Sequence, residues 1–261
     1  MADEERRITR VLIALDVSAD EPERLDAAAR LAEYLQAELQ GLFVENSDLL
    51  RSAGLPFAAE IAYDSGVERP LSSDELARAL RARAERSREA MARALRGRAV
   101  SWSFRTVQGR RVETALATAS PADLLVVERS RRTGWQVPTP RRAPELAGDI
   151  LLVYDGSDAA RRGLDLMARI AARHRLEATI LVQEPLTAED EALRSGLQPL
   201  RERGVHPHLE PLSARTGALR DTLRQAAPDL ALLPSGVELV QDPQRLERFA
   251  EHFEGTVVVL T

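Results

Sequence analysis

Val11-Leu12-Ile13-Ala14-Leu15-Asp16-Val17-Ser18 returns as Ile150-Leu151-Leu152-Val153-Tyr154-Asp155-Gly156-Ser157. The offset of 139 residues holds from residue 11 to residue 45, and from Asp16 to Glu45 it gives ten identities in thirty positions. A chain this rich in Ala, Arg and Leu would give roughly three by chance. The chain therefore contains one structural unit twice. Each opening run is apolar throughout, as in a strand buried on both faces of a parallel sheet. Each runs into a polar turn and then an apolar stripe of helical period. The stripe is Leu25, Ala28, Ala29, Ala32 and Leu35 in the first copy, and Leu164, Met167, Ala168 and Ala171 in the second. Second strands are expected at 39–44 and 178–183.

A second offset, 106, relates Asp123-Leu124-Leu125-Val126-Val127 to Asp229-Leu230-Ala231-Leu232-Leu233. Helices at 111–119 and 218–227 and strands at 100–107 and 205–212 precede these fourth strands. The drop from 139 to 106 means that the first copy carries 33 extra residues. They read as a loop over 47–73 and a long helix over 74–98, with Ser72 or Ser73 as its cap. The second copy continues into a helix at 243–253 and a last strand, Thr256–Leu260. The first copy has no room for that ending, and residues 129–148, rich in Pro and Arg, read as a linker. Strand and helix alternation calls for an α/β fold of two tandem doubly wound parallel-sheet domains with right-handed crossovers. The first spans 1–148, with its insertion at 46–98, and the second spans 149–261.

Composition removes several chemistries. The absence of Cys excludes disulfides, thiolate metal sites and Cys nucleophiles. All 36 basic residues are Arg, which excludes a phosphate-loop lysine, a Schiff-base lysine and a Ser–Lys dyad. A net charge of −5 argues against general nucleic-acid affinity. The charged N-terminal residues do not read as a secretory signal, and no apolar run reaches membrane-spanning length, so the cytoplasm is the expected location. Within 74–98, eight Arg face four acids. This reads as a solvated face laced with ion pairs, and it has no aromatics to stack on bases. His206 and His208 alternate along an expected strand without a carboxylate cluster, and no metal site is expected. Ser18, Ser157 and Ser235 lack a nucleophile elbow, so no catalytic residue is assigned.

Taken in order, these motifs resemble the universal stress protein family in a tandem two-domain form. They are a first strand ending in Asp155-Gly156-Ser157 (Asp16-Val17-Ser18 in the first copy), second strands ending at Glu45 and Glu184, an Asp-Leu-Leu-Val-Val strand, and a closing Gly-Thr-Val-Val-Val-Leu. The resemblance implies an adenine-nucleotide-hydrolase-like fold and, in some members, bound ATP. It would place Asp16 and Asp155, the latter followed by Gly156 and Ser157, near the ribose and adenine. Val44 and Gln183 would offer backbone hydrogen bonds to the base. Phosphates in the family are held by a glycine pattern after the fourth strand. Here that region reads Glu128-Arg129-Ser130-Arg131-Arg132-Thr133-Gly134 in one copy and Leu233-Pro234-Ser235-Gly236-Val237-Glu238 in the other. Neither copy has the full pattern. Arg129 and Arg131, or Ser235 and Gly236, are the groups left to meet a phosphate.

The expectation is thus a non-enzymatic stress-response interaction protein without the usual ATP binding and with no firm cofactor. The alternative is a nucleotide sensor for ATP or AMP. A weaker one is an enzyme of the adenine-nucleotide hydrolase type. Family members pair through their last strands, so Thr256–Leu260 is the candidate pairing edge, within the chain, in a homodimer or with a protein partner.

Overall fold

A computed structural model describes residues 8–15, 22–55, 59–61, 66, 68–70, 72–120, 123–127 and 149–261. The first half holds β1 (Arg10–Leu15), α1 (Pro22–Leu35), β2 (Glu38–Asn46), α2 (Ser47–Ala53), β3 (Ala59–Ile61), β4 (Glu68–Pro70), α3 (Ser73–Ala94), β5 (Trp102–Gly109), α4 (Arg111–Thr118) and β6 (Asp123–Val127). The second holds β7 (Asp149–Tyr154), α5 (Asp158–His174), β8 (Glu177–Gln183), α6 (Glu191–Glu202), β9 (His208–Leu212), α7 (Ala218–Ala226), β10 (Leu230–Pro234), α8 (Glu238–Gln241), α9 (Pro243–Ala250) and β11 (Thr256–Leu260).

The repeat survives in detail. β7 has the bounds of β1 moved by 139, and Asp149 lies opposite Glu177 as Arg10 lies opposite Glu38. Gln36 and Arg175, at the same offset, both turn left-handed with φ 54° after their helices. The apolar runs form strands because both faces of each are covered. Val11, Ile13 and Leu15 of β1 belong to one core cluster, and Leu12 and Ala14 belong to the other. Each cluster draws on both halves of the chain.

Nine strands form one sheet in the order β5-β2-β1-β6-β11-β10-β7-β8-β9. All neighbours are parallel except β6 and β11, which run antiparallel, with Val258 opposite Val126. The expected pairing edge is therefore an interface within the chain. β10 takes its other side, so both sides of β11 are paired within the chain. Thr261 anchors the end of β11, its hydroxyl donating to the Ser120 carbonyl at 2.6 Å.

Three expectations need correction. Residues 47–73 are not one loop: Asn46 Oδ1 caps α2, accepting from the amides of Asp48 and Leu49, and β3 pairs with β4. The closing helix begins at Pro243 as expected, with Asp242 as its cap, but it ends at Ala250, and a short helix, α8, precedes it. β9 begins at His208, so His206 lies outside the strand. The insertion helix starts as expected, with Ser72 Oγ accepting from the Glu75 amide at 3.4 Å.

Candidate ligand site at the strand tips

Parallel strands end where crossover loops diverge, and such sheets bind ligands in that crevice. In the second half, the tips of β7, β8 and β10 bring Asp155, Gly156, Ser157, Gln183, Ser235 and Gly236 to one end of the sheet. Asp155, half-buried, accepts the Ser157 amide on Oδ1 at 3.0 Å. Ser157 in turn caps α5, its Oγ accepting from the Ala160 amide at 3.1 Å. Gly156 makes the turn at φ +80°, a conformation that side chains disfavour. The β10 loop crosses close above, where a methyl group placed on Gly236 would come within 2.9 Å of Asp155 Oδ2.

Gln183 is the last residue of β8, and its carbonyl accepts the Leu186 amide at 3.0 Å. Leu186 folds back over the site, 3.1 Å from where a side chain on Gly156 would begin. Two amides of the β10 loop are spent inside the fold. Ser235 N donates to the Leu260 carbonyl at 2.8 Å, and Val237 N donates to the Pro234 carbonyl at 3.2 Å. Beneath the turn, Tyr154 is fully buried, and no group makes a well-aligned hydrogen bond to its hydroxyl among the described residues. Burial pushes the Tyr154 pKa up, and Arg161 beside it acts in the opposite sense.

In the first half, Asp16, Arg129 and Arg131 lie outside the described residues. Val44 is buried inside β2, opposite Val107, and the strand runs on to Asn46. The strand end there serves as the cap of α2. His208 is exposed and sits 3.2 Å from Glu210, and no cluster of metal-binding side chains occurs among the described residues.

Sequence reasoning missed a second feature. A cavity of about 450 Å³ lies between α7 and the α8–α9 pair, and arginines from both walls line it. These arginines are spread over residues 220–248 without a recognisable motif, and only the fold collects them.

No helix among the described residues is long and apolar enough to cross a membrane. Neither a protein-family model nor a curated protein matches the chain. Among solved structures, a universal stress protein from Archaeoglobus fulgidus aligns over 98% of this chain and 97% of its own, with 13% identity and a TM-score of 0.52. A putative universal stress protein from Pseudomonas aeruginosa aligns over 98% and 94%, with 12% identity and a TM-score of 0.42. A universal stress protein in complex with cAMP aligns over 44% of this chain and 96% of its own, with 16% identity and a TM-score of 0.34. Together with the strand order and the repeated crossovers, the first of these likenesses gives the conclusion: the chain has the universal stress protein fold.

Proposed function

We propose that this chain is a tandem universal-stress-type protein of the cytoplasm that works by association rather than by catalysis. One observation carries this reading. The loop after β10, where a nucleotide's phosphates would need free backbone amides, spends its Ser235 and Val237 amides on the Leu260 and Pro234 carbonyls. Glu238 follows directly and opens α8 with a negative charge. Asp155, in turn, holds the Ser157 amide, the work of a turn-capping side chain. The fold joins its halves through β6 and β11 and builds a rigid platform of nine strands.

A second reading, a sensor of ATP or AMP, draws on Asp155 Oδ2. It lies at the strand tips and faces Gly236, and a carboxylate oxygen can accept a ribose hydroxyl. Calorimetry with ATP and AMP on the full chain separates the two. The association reading expects no saturable heat at millimolar nucleotide. Saturable binding that Asp155→Ala abolishes would establish the sensor instead.

A further inference from the structure

The cavity between α7 and α9 lies outside the strand-tip site, and Asp155 does not line it. At about 450 Å³ it has the size of a small-molecule pocket. Its floor is apolar: Phe249 and Leu239 are buried there, and Leu219 is half-buried. Its walls carry Arg220 and Arg224 from α7 and Arg245 and Arg248 from α9, against one carboxylate, Glu238.

The ion pairs decide which of these charges are free to meet a ligand. Arg245 is engaged by Glu238 and Asp242, each at 3.0 Å. Arg220 sits 3.3 Å from Asp221, which Arg215 also contacts. Arg224 and Arg248 have no carboxylate partner among the described residues; Arg248 Nε donates only to the Gln244 carbonyl, at 3.3 Å. Two uncompensated guanidinium groups thus stand on opposite walls of one groove. Gly217, which turns left-handed ahead of α7, lines the same groove.

From this geometry we infer that the groove binds a small organic phosphate, with its phosphate dianion between Arg224 and Arg248 and its apolar part on Phe249 and Leu239. Planar guanidinium groups meet phosphate oxygens in pairs, which a carboxylate-free pair such as this one allows. The apolar floor gives an organic ester an advantage that inorganic phosphate lacks.

The test is calorimetric titration of the full chain with phenyl phosphate and, separately, with inorganic phosphate. Phenyl phosphate should bind the more tightly of the two. The double variant Arg224→Ala, Arg248→Ala should weaken it by about tenfold or more while far-UV circular dichroism stays unchanged, since both side chains are exposed. Asp155→Ala should leave phenyl phosphate affinity as it was, which separates this site from the strand tips. Three results would overturn the inference: no heat with phenyl phosphate, unchanged affinity in the double variant, or binding no tighter than that of inorganic phosphate.

Discussion

At the scale of single residues, Asp155 and His174 show how position decides what a titratable side chain does. If Asp155 only orders its turn, an amide serves as well as a carboxylate. Asp155→Asn should then keep stability within about 0.5 kcal/mol, whereas Asp155→Ala should cost about 0.5–1.5 kcal/mol through the lost acceptor for the Ser157 amide. Urea denaturation of the three proteins checks this, and equal losses in both variants would point to the charge itself. His174 lies in the last turn of α5, edge-on to Tyr34 with ring centroids 6.4 Å apart. Arg169 and Arg173 stand over the same Tyr34 ring, at 5.6 and 5.1 Å. Burial, and then the Arg173 charge, hold the His174 pKa below its ordinary value. The unfolded chain therefore takes up this proton more readily than the folded one. The stability that His174 contributes is complete above about pH 6.5, the ordinary histidine value, and is lost as pH falls through the lower folded value. His174→Gln should flatten this part of the stability–pH curve, and an unchanged slope would assign it to other groups.

At the scale of elements, what could be read from the sequence follows from how local each signal is. β1, β7, β6 and β10 announce themselves because burial on both faces demands a continuous apolar run, which the sequence shows directly. α2 and the β3–β4 hairpin escape because they are short and lie among Gly, Pro and Ser, where propensity points to loop. The groove arginines escape because α7 and α9 meet only in the folded sheet. α3 was readable as a helix, but its seat was not. It packs on α1 and β2, and Gly41 of β2 leaves the room for it. A methyl group at Gly41 would come within 2.6 Å of Met91 Sδ and 2.9 Å of Phe104. Gly41→Ala should therefore cost about 1–3 kcal/mol by overpacking. Met91→Ala alone should cost about 2–5 kcal/mol through the cavity it leaves. Because the two changes relieve each other, the double variant should lose clearly less than the sum. Strict additivity in chemical denaturation would show that α3 does not bear on Gly41.

For the whole molecule, the repeat explains the halves, and the pairing of β6 with β11 joins them. β6 has no fifth strand of its own copy beside it among the described residues, and β11 of the second copy occupies that place in reverse direction. Further ties cross the same seam: Arg111 of α4, buried, donates to Glu247 of α9 at 3.1 Å, and Thr261 bonds to the Ser120 carbonyl. With core clusters that draw on both halves, neither half can lose its structure without exposing apolar surface of the other. The chain should therefore unfold in one cooperative transition although its sequence is a duplication. Trp102, in β5 of the first half, reports locally by fluorescence once the chain's other tryptophan is removed as Trp135→Phe, while far-UV circular dichroism reports on all helices. Their denaturation midpoints should coincide. Val258→Ala, at a fully buried position facing Val126, should cost about 1–3 kcal/mol of stability and lower both midpoints together. If the fluorescence and dichroism transitions separate, in the parent chain or in this variant, the seam between β6 and β11 is not what makes the two halves one unit.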